Sequence, residues 1–108
     1  MTGGKKYMTD ISNASRYLLM DLRAKDWSDE ILNEFKINRN SLPTIASNCD
    51  DFGVVSADFM PELAGVPITA TIGDQHAALL GQCCFDVGES KNTYGTGCFL
   101  MYNKKTHL

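Results

Sequence analysis

The chain of 108 residues carries a formal net charge of −3 at pH 7, and 44% of its residues are hydrophobic. This length suits one small domain, and the composition is that of a globular protein rather than a disordered or fibrous one. Lysines and arginines are scattered, so no basic stripe indicates binding to nucleic acid or to an anionic membrane. The apolar runs are only a few residues long, too short to cross a bilayer as a helix.

Two helices are predicted in the first half of the chain. Asn13 to Asp21 is expected to form a polar turn followed by a short helix. The second helix begins after Ser28, whose side chain suits an N-cap, and continues to about Lys36. Trp27 precedes this cap and can pack against Leu32 as a hydrophobic staple, which indicates a packing role rather than a ligand platform. The residues of this helix expected to be buried are Ile31, Leu32 and Phe35.

The second half of the chain alternates predicted helices and strands. A helical turn starts at Pro61, and a strand covered on both faces follows from Ile68 to Ile72. A helix then runs from an N-cap at Asp74 to about Leu80. Glu89 to Tyr94 and Cys98 to Asn103 form a hairpin joined by a Gly-Thr-Gly turn. Because an isolated hairpin needs further strands for stability, the sequence indicates part of a larger α/β protein.

The chain has four cysteines, and they follow none of the usual spacings of a zinc ribbon or finger. Adjacent cysteines rarely bridge each other because the ring is strained, so we expect four reduced cysteines that act as small apolar fillers. The N-terminus has no apolar run of a signal peptide, which favours a reducing cytoplasm. A redox or metal-binding module is the remote alternative. The four cysteines are Cys49, Cys83, Cys84 and Cys98.

The motif Gly73-Asp74-Gln75 places a carboxylate and a carboxamide at the turn between the predicted strand and helix. Asp74 could accept the proton of a substrate hydroxyl, and Gln75 could hydrogen-bond a polyol. An ordinary aspartate, with a pKa of about 3.9, suffices as a base if proton removal is late in a loose transition state. The alternative for Asp74 is a purely structural N-cap.

A second motif, Gly95-Thr96-Gly97, follows about twenty residues later along the chain. Its glycines could let the backbone approach a phosphate, and the Thr96 hydroxyl could bind a phosphate oxygen. The alternative is a structural hairpin turn, since hairpins favour glycine. His76 is interpreted as a packed or solvated histidine rather than a base. A carboxylate base followed by a phosphate-binding turn indicates a kinase that acts on an alcohol.

Taken together and in chain order, three segments closely resemble the glycerol kinases of the FGGY carbohydrate kinase family: TDISNASRYLLMDL, GVPITATIGDQHAALLGQ and KNTYGTGCF. The extension through Cys98-Phe99 favours glycerol kinases over the xylulose or gluconate kinases, which are the alternatives within the family. The resemblance implies an α/β fold, as an internal fragment of an actin–hexokinase-like (ribonuclease H-like) two-domain kinase. Residues 1–88 would then be the C-terminal part of the first kinase domain, and residues 89–108 the opening β-hairpin of the second.

The resemblance implies that the full-length protein phosphorylates glycerol to glycerol 3-phosphate with ATP accompanied by Mg²⁺. It makes Asp74 the catalytic base, in contact with both glycerol and the metal. It makes Gln75 and Phe99 further glycerol contacts. The residues implied to bind ATP are Gly95, Thr96 and Gly97.

The chain also departs from the family pattern. Ile11 stands where some members have an aromatic glycerol contact, and its side chain cannot hydrogen-bond. The family's phosphate loop, its glycerol-binding Arg-Glu pair and its adenine-binding region match nothing here, so we expect the fragment alone to be inactive. The expected partners are glycerol and ATP or ADP in the cytoplasm, without nucleic acid or a membrane segment. The resemblance also allows homo-oligomer formation and mitochondrial association of the full-length enzyme, and the alternative from another class is a non-catalytic truncated product.

Overall fold

The computed structural model describes residues 1–104, which mix short helices with short strands. The chain divides into two compact units, Met1–Ile72 and the residues from Gly73 onward. The strands are arranged in two-stranded pairs. Within residues 1–104, no helix is long and apolar enough to cross a bilayer.

The first unit is built around two strand pairs. Strands β1 (Met8–Asp10) and β4 (Thr44–Ala46) pair in parallel, with Met8 opposite Thr44 and Asp10 opposite Ala46. Strands β2 (Met20–Asp21) and β3 (Asp26–Trp27) form a short antiparallel pair. The elements in chain order are β1 (Met8–Asp10), α1 (Ile11–Ala14), β2 (Met20–Asp21), β3 (Asp26–Trp27), α2 (Asp29–Glu34), a 3-10 turn (Arg39–Ser41), β4 (Thr44–Ala46) and a second 3-10 turn (Pro61–Leu63).

A small hydrophobic core holds the first unit together. Trp27 is only 6% exposed, and its indole N–H donates to the carbonyl of Pro43 at 2.8 Å. Leu32 of α2 belongs to the same cluster. The predicted packing role of Trp27, beside Leu32, is therefore confirmed. Ile11 also packs against this core. The buried residues of the cluster are Ala14, Met20, Trp27 and Leu32.

Helix α2 starts where the sequence predicts and ends slightly earlier. The Ser28 side chain accepts from the backbone N–H of Ile31 at 3.4 Å, which confirms the N-cap. The helix ends at Glu34, and Phe35 is 68% exposed. The predicted burial of Phe35 is therefore wrong, because this side chain is not among those that pack against the core cluster.

The helix predicted within Asn13 to Asp21 is also wrong. The Asp10 carboxylate caps an earlier helix by accepting from the backbone N–H groups of Ser12 and Asn13, so α1 starts at Ile11. The chain then leaves the helical conformation, with Leu18 at a left-handed φ of 62°. Strand β2 follows directly.

The strand expected from Ile68 to Ile72 does not form, although the helical turn at Pro61 is confirmed. Within the segment Ala70 forms an isolated bridge with Cys49, and just before it Pro67 forms another with Val54. Pro67 has no N–H to donate, and Gly53 in the facing segment of the same chain has a φ of 92°. Regular strand pairing is therefore interrupted.

The second unit contains helix α3 (Asp74–Gly81) and the predicted hairpin of β5 (Ser90–Tyr94) and β6 (Cys98–Tyr102). The strands pair in antiparallel register from Ser90 opposite Tyr102 to Tyr94 opposite Cys98. The hairpin is confirmed, with each strand one residue shorter at its open end than expected.

All four cysteines are free. Cys84 is buried, but Cys49, Cys83 and Cys98 are exposed. The expectation that all four act as apolar fillers is thus wrong for three of them. Each of these three lies in a loop or on the outer face of the hairpin rather than against the core.

Candidate functional site

The Gly73-Asp74-Gln75 motif lies at the start of α3, as the sequence predicts, but its cap is shifted by one residue. Gly73 has extended backbone angles and occupies the N-cap position, so Asp74 is the first helical residue. The expectation that Asp74 is the N-cap is therefore wrong. The Asp74 carboxylate accepts from the backbone N–H of Gln75 at 2.7 Å and is otherwise exposed. An exposed carboxylate at this position is accessible to a substrate hydroxyl.

The Gln75 carboxamide lies between two charged side chains. Its Oε1 accepts a hydrogen bond from Nζ of Lys91, and its Nε2 donates to Oδ2 of Asp74 at 3.4 Å. Lys91 lies on β5, is only 3% exposed, and also donates to Oγ1 of Thr93 at 2.8 Å. The lysine therefore joins the hairpin to the first turn of α3.

Phe99 lies on the same face of the β5–β6 hairpin as Lys91 and Thr93, which is called the inner face. Thr93 is directly opposite Phe99, and Lys91 is directly opposite Met101. Because residues opposite each other in an antiparallel pair point to the same face, all four side chains lie on one side of the hairpin. The structure thus links Gln75 and Phe99 through Lys91 and Thr93. Phe99 remains 48% exposed, so part of its ring is open to a ligand.

The Gly95-Thr96-Gly97 turn forms the tip of the hairpin. Thr96 is exposed, and the N–H of Gly95 donates to the carbonyl of Gly97 at 3.0 Å. Neither glycine adopts a left-handed φ, so the turn does not need glycine for its backbone conformation. A Cβ on Gly97, however, would lie 2.8 Å from Cε2 of Phe99, whereas a Cβ on Gly95 would meet nothing closer than 3.9 Å. Glycine at position 97 therefore makes room for the Phe99 ring.

A second polar cluster, in the first unit, surrounds Asp10. This carboxylate is 1% exposed and accepts from Asn48 Nδ2 at 2.8 Å and Thr71 Oγ1 at 2.9 Å, besides capping α1. Burial raises the pKa of Asp10, but hydrogen bonds from Asn13, Ser12 and Thr71 outweigh it and lower the pKa from 3.8 to about 2. With its lone pairs occupied in this way, Asp10 is suited to hold loops together rather than to act as a base.

Comparison with known proteins places the chain in a family. The family model for the N-terminal domain of the FGGY family of carbohydrate kinases matches residues 1–81. The chain belongs to the FGGY family of carbohydrate kinases. The FGGY chain is 49% identical to a glycerol kinase of Chloroflexus aurantiacus over 111 residues, which cover 100% of the chain and 22% of that relative. It is 51% identical to a glycerol kinase of Mycobacterium tuberculosis over 108 residues, which cover 95% of the chain and 21% of that relative.

The fold of the FGGY chain is similar to that of a solved enzyme. The crystal structure of Plasmodium falciparum glycerol kinase with ADP matches it with a TM-score of 0.81 and 47% sequence identity. The match covers 88% of the chain and 19% of the solved one. The predicted fold class, a segment of an actin–hexokinase-like α/β kinase, is thereby confirmed. The FGGY chain spans about a fifth of the length of the relatives it matches, 22% in the case of the Chloroflexus enzyme.

Lys91 of the FGGY chain begins the KNTYGTGCF segment but is not among the predicted site residues. A lysine in a strand is normally solvated, although its alternation with Thr93 places both residues on one face of β5. Whether that face was covered depended on the position of α3, which the sequence pattern does not state.

Among residues 1–104, no group of three or more His, Cys, Asp or Glu side chains could hold a metal ion by itself. Mg²⁺ that arrives with a nucleotide needs only one or two protein carboxylates, because phosphate oxygens and water complete its coordination. The single exposed carboxylate of Asp74 fits such a site in the FGGY chain.

Proposed function

We propose that the full-length protein containing this chain transfers the γ-phosphoryl group of ATP to glycerol and forms glycerol 3-phosphate and ADP. The observation that carries this proposal is the Asp74–Gln75 pair at the start of α3, linked to the face that bears Phe99, in a chain 49% identical to a glycerol kinase. The match to the N-terminal domain of FGGY carbohydrate kinases supports a phosphoryl transfer to a carbohydrate or polyol hydroxyl.

Asp74 is the proposed catalytic base. As the glycerol oxygen forms its bond to the γ-phosphorus, the bond from that phosphorus to the β–γ bridging oxygen breaks and ADP leaves with the electron pair. The hydroxyl proton passes to the Asp74 carboxylate, which is exposed at the helix start. Mg²⁺ bound by the ATP phosphates and by Asp74 would neutralise phosphate charge.

Gln75 and Phe99 are the proposed glycerol contacts. The Gln75 carboxamide can hydrogen-bond a hydroxyl, and the half-exposed Phe99 ring can cover the carbon chain. The proposed ATP-binding residues are Gly95, Thr96 and Gly97. Support for this last assignment is the exposure of Thr96 at the hairpin tip, where its hydroxyl and the neighbouring backbone N–H groups can reach a phosphate.

The activity is proposed for the full-length protein because this segment leaves much of its apolar surface open. Large hydrophobic side chains are exposed in both units, with Leu18 86% and Leu100 71% exposed. In a complete kinase such side chains would pack against further elements. We further propose that residues 1–88 close the first kinase domain and residues 89–108 open the second, with residues 105–108 outside the described part. In support, the family match ends at residue 81 and β5 begins at Ser90.

The cytoplasm is the proposed compartment, because four free cysteines suit a reducing environment.

The test is substrate profiling of the full-length protein with ATP. ADP release and product identity are measured with glycerol, xylulose and gluconate as acceptors. We expect glycerol to give the highest kcat/KM, by at least about 100-fold, since a site built for one polyol rejects others through unpaired polar groups. A higher kcat/KM for xylulose or gluconate would contradict glycerol as the substrate and would indicate another kinase of the FGGY family. Absence of ATP-dependent turnover with every acceptor would support a non-catalytic product.

A further inference from the structure

Lys91 is a buried cation whose described partners are neutral. The ammonium donates to Gln75 and Thr93, and the ion pairs found within residues 1–104 involve Lys6 and Arg39 instead. Burying a charge without a counter-charge is costly, and the hydrogen bonds that the charge makes must offset that cost. These two hydrogen bonds are therefore strong constraints on the groups that accept them.

The lysine determines which end of the Gln75 carboxamide faces inward. An ammonium group has only donors, so the carboxamide must turn its oxygen toward Lys91. Its NH₂ group is then directed toward the side of Asp74, where Nε2 donates to Oδ2 at 3.4 Å. The two ends of the carboxamide have almost the same shape, so without Lys91 only the 3.4 Å hydrogen bond to Asp74 would oppose a flip.

This orientation controls the direction of a hydrogen bond to substrate. A substrate hydroxyl that contacts both Gln75 and Asp74 meets a donor on the first side chain and an acceptor on the second. Its oxygen accepts from Nε2 of Gln75, and its proton points at the Asp74 carboxylate. A flipped carboxamide would present a second acceptor, which competes for the same proton.

We propose that Lys91 is a positioning residue that holds the Gln75 carboxamide so that the substrate hydroxyl donates its proton to Asp74. The inference rests on the proposed function and deepens it. Lys91 acts through Gln75 and does not touch the substrate.

The experiment compares Lys91→Met and Lys91→Arg in the full-length protein. Met has a similar length and no donor, whereas Arg retains donors for Oε1. We expect Lys91→Met to lower kcat/KM for glycerol by about 10- to 100-fold, the loss typical of a hydrogen bond to a charged group, with the KM for ATP changed less than about twofold. Lys91→Arg should recover at least part of the loss. An equal loss of kcat/KM for glycerol and for ATP, together with a lower melting temperature, would show that Lys91 has only a structural role. That result would overturn the proposal.

A double-mutant cycle tests whether Lys91 acts through Gln75. In a Gln75→Ala background, Lys91→Met should change kcat/KM for glycerol by less than about threefold, because the carboxamide it orients is gone. The same loss in both backgrounds would contradict the inference.

Gln75→Glu keeps an oxygen for Lys91 but replaces the NH₂ group by a second oxygen. It decides the question even if Lys91→Met does not fold, since a folded variant with near wild-type glycerol turnover would contradict the requirement for a donor. The wild-type protein separates the two levels of proposal. Its failure to phosphorylate glycerol would remove the proposed function, whereas an active wild type with an equally active Lys91→Met removes only the role of Lys91.

Discussion

The Phe99 ring lies over Gly97, so close that a Cβ on the glycine would be 2.8 Å from Cε2 and 3.0 Å from Cζ. A contact of this length cannot be accommodated unless the ring moves. The tip of the hairpin and the proposed glycerol contact are therefore coupled, although the sequence suggested that they serve different substrates.

The first prediction follows from this contact. In the full-length protein, Gly97→Ala should displace the Phe99 ring and raise the KM for glycerol by about tenfold, in addition to any effect on ATP. Gly95→Ala is the matched control, because its Cβ would lie 3.9 Å from the nearest atom. It should change the KM for glycerol less than about twofold. Steady-state kinetics with both substrates provides the measurement, and identical effects of the two variants would contradict the coupling.

Asp74→Asn should reduce kcat by at least about 100-fold, the lower range for removal of a general base. Folding should be preserved, because Gly73 is the cap and an asparagine oxygen can still accept from the N–H of Gln75. Single-turnover kinetics and a melting curve on the full-length variant check both parts. A variant that retains near-normal kcat would leave Asp74 with a structural role only.

Thr96→Ala should raise the KM for ATP by about 10- to 100-fold, the effect of losing one hydrogen bond to a charged phosphate. Thr96 is exposed at the hairpin tip, so its replacement should not shift the melting temperature. The KM for glycerol should also stay constant. If the melting temperature falls while the KM for ATP does not change, the turn is structural and its assignment to the phosphate site is wrong.

Asp10→Asn should destabilise the protein by about 2–4 kcal/mol, because its amide would place a donor among buried donors from Asn48 and Thr71. The folded-state pKa of about 2 lies below the ordinary 3.8, so the charged carboxylate stabilises the fold above pH 3.8. This contribution is lost as the pH falls from 3.8 toward 2. The stability difference between wild type and variant should therefore shrink in that window. Urea unfolding at neutral and acidic pH measures it, and a constant difference would argue against the titration of Asp10.

The isolated chain of 108 residues should not phosphorylate glycerol. Positioning and electrostatic stabilisation supply most of the rate in phosphoryl transfer, and the chain spans only 22% of the Chloroflexus glycerol kinase. A coupled ADP-release assay on the purified chain, with the full-length protein as positive control, tests this expectation. Turnover above the buffer rate would show that the segment contains a complete site.

Features that depend on neighbouring residues could be predicted from the sequence. The Ser28 cap, the turn at Pro61 and the β5–β6 hairpin all formed as expected. Each is determined by a local interaction that acts within a few residues: a side-chain hydrogen bond at a helix cap, the restricted φ of proline or a tight turn. The Asp-Gln motif at the start of α3 was located in the same way.

Features that depend on distant partners could be decided only by the tertiary structure. The strand expected from Ile68 to Ile72 does not form, because strand pairing requires a regular partner. The facing segment of the same chain has a left-handed φ at Gly53. The hydrogen bond between Asp10 and Thr71 joins residues 61 positions apart in the sequence, and the one between Lys91 and Gln75 joins residues 16 positions apart. Burial and hydrogen-bond polarity are set by whatever packs opposite a side chain. The local sequence therefore identifies Asp74 and Gln75 as candidates, whereas only the packing of α3 on β5 brings Lys91 into hydrogen-bond contact with Gln75.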